Sequence, residues 1–177
     1  MKVSRNVYIL SGTLITLFST FLFAYNRAIC HETTNYVIHV DPAVFVKILI
    51  QNLGFFLLII AGSLFYNISN FFLLLYNGNL WGLAAKFAAC SLGFYNAILL
   101  VAPHIVIEIL WISLSVKLSF KLSRILYDLL NDKIDSYLFM AQLKTMKYQF
   151  LFAFLLVITG VVIEVFLSPI IYNSVSL

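Results

Sequence analysis

The sequence predicts an all-α integral membrane protein: a bundle of about five transmembrane helices, with a cytoplasmic amphipathic helix between the fourth and fifth spans. Of its 177 residues, 63% are hydrophobic and 10% are charged, whereas soluble domains are about half apolar and about a quarter charged. The apolar residues form continuous runs without the period-two alternation of membrane strands. Because backbone polar groups need internal partners in lipid, we expect these runs to be helices.

Five apolar runs define the predicted spans, which form one membrane domain comprising residues 1–177. An α-helix rises about 1.5 Å per residue, so a run of about 20 residues crosses a hydrocarbon core of about 30 Å. The first run is long for a signal peptide and no A-x-A site follows it, so a retained helix is preferred. The stretch 71–119 could be divided differently, which would give four or six spans. The predicted spans are residues 7–25, 44–66, 71–90, 92–117 and 148–172.

The longest charged segment, residues 117–147, connects the fourth and fifth spans and carries six of the eleven basic residues and three acidic residues. Leucine and isoleucine recur in it at intervals of three and four residues, which predicts an amphipathic helix on the membrane surface. Its charged face is equally consistent with a docking surface for a partner such as an ATPase subunit. The candidate docking residues are Lys121, Arg124, Asp128 and Asp132.

Basic residues predict the orientation, because segments rich in lysine and arginine stay in the cytoplasm. With five spans and a cytoplasmic N-terminus, Lys2, Arg5 and the segment 117–147 place eight of the eleven basic residues inside. We therefore expect a multi-pass membrane protein with a cytoplasmic N-terminus and an external C-terminus. The net charge of +4 reflects this orientation and contacts with anionic lipid of the bilayer. No nucleic-acid-binding module is recognisable, so we expect no nucleic-acid partner.

Residues that commonly bind metals or form disulfides are scattered. Cys30 and Cys90 do not form a C-x-x-C pair, which excludes the zinc and thioredoxin-like motifs built on that spacing. They could form a disulfide if both lie near the outer face, but two unpaired thiols are the preferred interpretation. His31 and Glu32 have no second ligand pair at a useful spacing, so we expect neither a metal site nor a cofactor.

Polar residues inside the predicted spans are the candidate functional or structural residues, because an ionisable group at the bilayer centre costs about 2.5–3.5 kcal/mol. His104 and Glu108 are four residues apart and therefore share one helix face. Pro103 should open this helix at its N-terminal end. The group could form a polar site for a proton, an ion or a peptide. It could also be a structural pair that fixes helix packing, and this interpretation is preferred.

The third span contains amide and glycine residues near its middle. Asn77, Gly78 and Gly82 could break the helix and line a cavity. Alternatively, the G-x-x-x-G spacing of Gly78 and Gly82 could allow close packing with a neighbouring helix. The spacing alone does not separate these two interpretations.

Glu164 lies well inside the last apolar run, five residues before Pro169. A carboxyl at this depth needs a partner to remain charged. The sequence contains two candidates, His104 in the fourth span and Lys86 in the third. Both pairings stay open at this point.

No catalytic motif accompanies these polar residues. A zinc protease needs H-E-x-x-H, in which the glutamate acts on metal-bound water, whereas the fourth span contains one histidine. The nucleophile motif G-x-S-x-G is also absent. We therefore expect no catalytic residue, and an intramembrane enzyme that uses His104 and Glu108 is the least favoured hypothesis.

Taken in order, these motifs resemble the stage II sporulation protein M family. The resemblance covers roughly residues 44–169 and keeps the order of the family's motifs. The chain departs from the family at Ile105, where glycine is frequent, and at Trp111, Leu114 and Lys117, where small residues usually follow the glutamate. The matching residues are Asn52, Asn77, Gly78, Gly82, Pro103, His104, Glu108, Ile163, Glu164 and Pro169.

The resemblance implies a non-enzymatic bacterial cell-membrane protein that acts as a subunit or scaffold together with other membrane proteins. Family members in spore formers act with peptidoglycan hydrolases during engulfment of the forespore. Short relatives accompany circular-bacteriocin genes and an ATPase subunit, where maturation, export or immunity is the implied role. The short chain and the diverged fourth span favour this second role, in which an ATPase subunit is the partner.

Overall fold

Six helices follow the apolar runs of the sequence in a computed structural model, which describes residues 5–27, 42–65 and 67–175. These residues form helices and turns but no β strand, which confirms the predicted all-α class. The helices are α1 (Arg5–Arg27), α2 (Pro42–Ala61), α3 (Ile68–Leu92), α4 (Phe94–Leu130), α5 (Ser136–Val162) and α6 (Ser168–Val175).

Within the part of the chain that the structure describes, three helical stretches are long and apolar enough to cross a membrane, namely Ala43–Phe65, Phe94–Leu130 and Ser136–Ile171. The helices α1 and α3, with 23 and 25 residues, are also long enough to cross a core of about 30 Å, but polar residues interrupt their apolar sequences. The fold is therefore all-helical with three candidate membrane spans. The predicted total of five spans stays a prediction.

The small and polar residues of α1 and α3 are explained by the packing of these two helices on each other. Helix α1 contacts α3 more extensively than it contacts any other helix. Gly78 and Gly82 of α3 are buried and lie directly against the backbone of α1. The hydroxyls of Thr13 and Thr20 donate to carbonyls one turn earlier in α1, both at 2.8 Å. Small residues thus face the partner helix, and polar hydroxyls are satisfied within their own helix.

A buried hydrogen-bonded cluster holds the corner between α2 and α3. Asn67 there has a φ of 64°, in the left-handed region that asparagine tolerates. Asn70 Nδ2 donates to Asn67 Oδ1 at 2.9 Å and to Ser119 Oγ at 3.0 Å. Ser119 Oγ donates to Asn67 Oδ1 at 2.6 Å. The cluster fastens the corner to α4 at the level of Ser119.

A single residue, Gly93, connects α3 to α4. Its φ of 83° is a conformation that glycine adopts without steric cost. So short a link makes the two helices run antiparallel, and residues at similar distances from Gly93 come to face each other. Trp81 on α3 and Glu108 on α4 meet in this way.

Helix α4 lies at the centre of the bundle and contacts α1, α2, α3, α5 and α6. Trp111 and Ile112 in its middle are almost fully buried. The ring of Phe55 on α2 packs edge-on against the ring of Trp111, with 6.1 Å between the ring centres. Pro103 lies inside α4, nine residues after its start, so the prediction that it opens the helix is wrong. Pro103 removes one backbone hydrogen bond of the helix, and packing against the surrounding helices keeps α4 helical at this turn.

The segment 117–147 does not form a separate helix, which corrects the prediction of an amphipathic surface helix. It comprises the end of α4, a turn at 131–135 and the start of α5, which pack together as the α4–α5 hairpin. Leu118, Ile125 and Met146 are buried in the core of the protein. The apolar stripe therefore packs against neighbouring helices and not against lipid headgroups.

The last apolar run is interrupted by a π turn, Ile163–Leu167, between α5 and α6. The Ser168 N–H donates to the carbonyl of Ile163, five residues earlier. In a regular α-helix the ring of Pro169 would clash with the carbonyl four residues before it. The wider π turn accommodates the proline, and it carries Glu164. Such turns are frequent at functional sites.

Candidate functional site

A cavity of about 310 Å³ lies between α2, α3, α4 and the π turn. It is in the half of the bundle where α3 ends and α4 begins. Its wall is mostly apolar, and its two ionisable groups come from α4 and from the π turn. Residues that line it include Ile48, Trp81, Ala88, His104, Glu164 and Pro169.

Glu108 is one turn further along α4 than His104, and only 7% of it is exposed. Its carboxyl is hydrogen-bonded to the side chain of Trp81 on α3, whose indole N–H is the donor. A buried carboxyl without such a donor would be costly. Glu108 therefore connects α3 to α4 and is separate from the residues that line the cavity.

His104 faces the cavity from α4. Its ring interacts with the carbonyl of Leu100, one turn earlier. Its buried Nδ1 atom has no hydrogen-bond partner among the residues that the structure describes. Because Nδ1 is inaccessible, Nε2 is the ring nitrogen with which His104 can bind a polar group in the cavity.

Glu164 reaches the same cavity from the π turn, and its carboxyl is close enough to Glu108 for the two to interact electrostatically. The cavity thus brings Glu164 and His104 together, but within the described ranges no ion pair joins them. Lys86 does not pair with Glu164 either, because its Nζ lies 4.8 Å from the centre of the Tyr25 ring on α1. Neither of the two alternative partners considered for Glu164 forms an ion pair with it among the described residues.

The remaining predicted residues of α2 and α3 lie away from the cavity. Helix α3 is continuous through Asn77, Gly78 and Gly82, so the two glycines serve packing against α1 and do not break the span. The amide nitrogen of Asn77 is buried without a partner in the described part of the chain. Asn52 is half-buried on α2.

The four predicted docking residues lie on the α4–α5 hairpin, at the opposite end of the bundle from the cavity. Asp128 forms ion pairs with Arg124 at 4.0 Å and with Lys133 at 3.9 Å. Lys121 donates to a hydroxyl of α5 at 3.4 Å, and Asp132 lies in the turn with a φ of 55°. Ion pairs this exposed contribute about 0–1 kcal/mol, so the charges can be exchanged for those of a partner.

The structure differs from the preferred sequence interpretation at Trp81 and at Cys90. The sequence did not lead us to expect Trp81 as the hydrogen-bond donor to Glu108, although the N–H of a tryptophan within a span usually needs a partner. Cys90 is disulfide-bonded, so the expectation of two unpaired thiols is wrong for this residue. The other cysteine of the chain, Cys30, lies outside the described residues.

The arrangement can bind a small polar or cationic group but offers no evident metal site. In the described ranges, no group of three histidine, cysteine, aspartate or glutamate residues could hold a metal ion. His104 can exchange hydrogen bonds with a ligand, and Glu164 can accept them. Apolar walls around these two groups suit a ligand that is itself mainly apolar.

Comparison with known proteins supports the family resemblance. A family model described as stage II sporulation protein M matches residues 7–169, which is most of the chain and includes every candidate motif. No curated protein and no solved structure matches it. The extent of the family match shows that the chain belongs to the stage II sporulation protein M family.

Proposed function

We propose that this protein is a non-enzymatic subunit of a bacterial membrane complex that matures, exports or confers immunity to a bacteriocin, with an ATPase subunit as its cytoplasmic partner. The α4–α5 hairpin is the observation that carries the proposal. It presents six basic and three acidic residues at one end of the bundle. A charged surface on two extended helices is suited to a protein partner.

Two independent observations support an orientation with the hairpin and the N-terminus in the cytoplasm and the C-terminus outside. The hairpin is rich in lysine and arginine, which favours the cytoplasmic side. Cys90 is near the end of α3, at the opposite end of the bundle, and it is disulfide-bonded. Structural disulfides persist mainly outside the reducing cytoplasm.

Five spans are proposed because α1 and α3 lie within the bundle and not beside it. Each is long enough to cross the membrane, and each packs against α4 as well as against the other. Gly78 and Gly82 lie at the α1–α3 contact, and the hydroxyls of Thr13 and Thr20 bond within their own helix. The pair therefore exposes less polar surface to lipid than the composition of either helix suggests.

The cavity would contact the peptide that the complex handles. Its apolar wall suits aliphatic side chains, while His104 and Glu164 could bind a peptide amine or amide. Catalysis by His104 and Glu108 is less favoured, because Glu108 is bonded to Trp81 and is not part of the cavity wall.

The alternative function is a scaffold for peptidoglycan-remodelling partners during sporulation engulfment. It is favoured by the description of the family, which names sporulation. Peptidoglycan lies outside the cell membrane, so its hydrolases would contact the outer end of the bundle and not the hairpin. The two functions therefore place the partner on opposite sides of the membrane.

The test is purification of the tagged protein from its native host in mild detergent, with mass spectrometry of the proteins that accompany it. We expect an ATPase subunit, and we expect Lys121→Glu with Arg124→Glu to remove most of it. The matched control is Tyr95→Ala, an exposed residue at the outer end. Hydrolases that are lost with Tyr95→Ala and retained with the hairpin variant would contradict the ATPase proposal and support the scaffold.

A further inference from the structure

An apolar groove between α1, α3 and α4 has no part in the proposed function. Its larger part has a volume of about 500 Å³ and its smaller part a volume of about 350 Å³. Both parts are lined by Phe18, Phe21 and Ile105, so they form one continuous groove. Exposed side chains on its walls, such as Ile98 and Val106, show that the groove is open along one side. An apolar recess of this size can bind a small molecule.

The groove has the length and the depth of one leaflet of the bilayer. On α1 it extends from Leu14 to Tyr25, which is eleven residues or about 16 Å. The hydrocarbon core is about 30 Å thick, so each leaflet supplies about 15 Å. The larger part of the groove reaches Phe94, the first residue of α4, at the end of the bundle that the proposed orientation places outside. The groove therefore extends from the outer surface to about the middle of the membrane.

The width of the groove decides which apolar occupant it can hold. A transmembrane helix is about 10–12 Å across with its side chains, so a length of about 16 Å needs more than about 1,200 Å³. This volume is larger than that of both parts of the groove together. A helix of a partner or of a second copy would therefore rest on the rim of the groove and leave it unfilled. A single acyl chain is thin enough to lie inside it.

A lysine lies at the outer end of the groove. Lys86 is six residues before the end of α3, and its Nζ lies 4.8 Å from the centre of the Tyr25 ring, which lines the larger part of the groove. A lysine near the end of a span extends its ammonium toward the headgroups. No carboxylate pairs with Lys86 within the described ranges. Glu108, on the part of α4 that borders the groove, is bonded to Trp81 and does not line the groove. The ammonium is therefore available for a phosphate, which lysine binds through a charge-assisted hydrogen bond.

We infer that this groove binds one acyl chain of an anionic phospholipid of the outer leaflet, whose phosphate is bound by Lys86. The inference rests on the five spans and the orientation in the proposed function, and it adds a lipid-binding site to them. Lipid touches any apolar surface that a membrane protein exposes, but here the chain is confined by three helices and the headgroup is held by a lysine. A lipid bound in this way fills the space between α1 and α4, so it should stabilise α1 on the bundle.

Native mass spectrometry of the full chain, purified in mild detergent and freed of lipid, measures the binding. Dioleoylphosphatidylglycerol is titrated as the anionic probe. Dioleoylphosphatidylcholine, which has the same acyl chains and a zwitterionic headgroup, is the comparison. We expect one tightly bound phosphatidylglycerol per chain and a higher melting temperature in its presence.

Two kinds of variant separate the headgroup contact from the groove. Lys86→Gln should weaken the binding of phosphatidylglycerol by about tenfold, which is the effect of losing one hydrogen bond to a charged group. It should also remove the preference over phosphatidylcholine, whereas Lys86→Arg should retain the preference. Ala102→Phe places a ring in the groove and should weaken the binding of both lipids. The melting temperature of each variant without lipid shows whether it is folded.

The matched controls are Lys47→Gln, at an exposed lysine of α2 outside the groove, and Ala61→Phe, which adds the same ring at an exposed position elsewhere on α2. Both should bind lipid as the unmodified chain does. No bound lipid, equal affinities for the two lipids, or an affinity unchanged in Lys86→Gln or Ala102→Phe would overturn the inference. It would also be overturned by a co-purifying polypeptide that is lost with Ala102→Phe while lipid binding is unchanged.

The lipid titration uses the isolated chain, so its outcome is separate from that of the purification from the native host. A chain that purifies with an ATPase subunit but does not select phosphatidylglycerol contradicts the lipid site and leaves the proposed function standing. A chain that selects phosphatidylglycerol but purifies without partners contradicts the proposed function alone.

Discussion

Polar side chains inside the bundle differ in whether they have partners. Glu108 is bonded to Trp81, and the asparagine–serine cluster at the α2–α3 corner is hydrogen-bonded across two helices. In contrast, His104 Nδ1 and Asn77 Nδ2 are buried without partners in the described part of the chain. A buried polar atom left unpaired costs about 1–3 kcal/mol. The paired groups explain packing between helices, while His104 lines the cavity.

We expect Gly82→Ala to lower the melting temperature of the protein in detergent. An added Cβ would overlap the carbonyl oxygen of Phe21 and would lie 2.8 Å from the Cβ of Ala24. The Phe21 oxygen belongs to the backbone of α1 and cannot rotate away, so α1 and α3 would have to separate. Overpacking of this kind costs about 1–3 kcal/mol. A thermal-shift assay with a thiol-independent dye measures the effect.

Gly54→Ala is the matched control, because nothing lies within 4 Å of a Cβ added there. It should leave the melting temperature unchanged or slightly higher, since alanine favours the helix over glycine. A melting temperature of Gly82→Ala equal to that of the unmodified protein would contradict close packing of α1 on α3.

The ionisable residues of the site were predictable because charged side chains are conspicuous in apolar runs. His104, Glu108 and Glu164 stand out for this reason. Trp81 was missed because tryptophan counts as apolar, and its N–H matters only once a carboxyl lies opposite it. Lys86 was assigned the wrong partner, because its contact with the α1 ring depends on how α1 packs on α3.

At the scale of the helices, the hairpin shows that a periodic pattern can predict the buried face of a helix without predicting what covers that face. Leucine and isoleucine at intervals of three and four residues predict a helix and its buried face. The pattern does not specify whether lipid headgroups or another helix covers that face. In residues 117–147 the apolar face is covered by neighbouring helices, and the two helices of the hairpin also cover each other.

We expect Asp135→Ala to loosen the start of α5, because the Asp135 carboxylate caps the Leu138 N–H at 2.7 Å. Loss of such a cap costs about 0.5–2 kcal/mol. Hydrogen–deuterium exchange of residues 136–142 should therefore be faster in this variant. Asp135→Asn retains an oxygen acceptor and is the control, with exchange close to that of the unmodified chain. Equal exchange in all three proteins would show that the cap does not stabilise the hairpin.

For the bundle as a whole, the number of spans depends on whether α3 crosses the membrane. Leu64 and Tyr95 lie just before and just after α3, and both are well exposed. If α3 spans, single cysteines at these two positions are on opposite sides. We expect an impermeant maleimide to label Tyr95→Cys in intact cells and Leu64→Cys only after permeabilisation.

The chain without an added cysteine is the blank for this labelling. Identical labelling of the two positions would mean that α3 does not cross the membrane, so a bundle with fewer spans would replace the proposed one. The reverse pattern would keep five spans but invert the orientation. It would place the hairpin outside and remove the basis for a cytoplasmic ATPase partner.

Composition and the lengths of the apolar runs were sufficient to predict an all-helical membrane protein, because both reflect a local preference for lipid over water. They also identified the ionisable residues of the cavity, whose cost in lipid is a property of each side chain. Partners depend instead on contacts between distant segments. Three-dimensional packing therefore determined that Glu108 bonds to Trp81, that α3 packs on α1, and that the charged segment extends α4 and α5 into a hairpin.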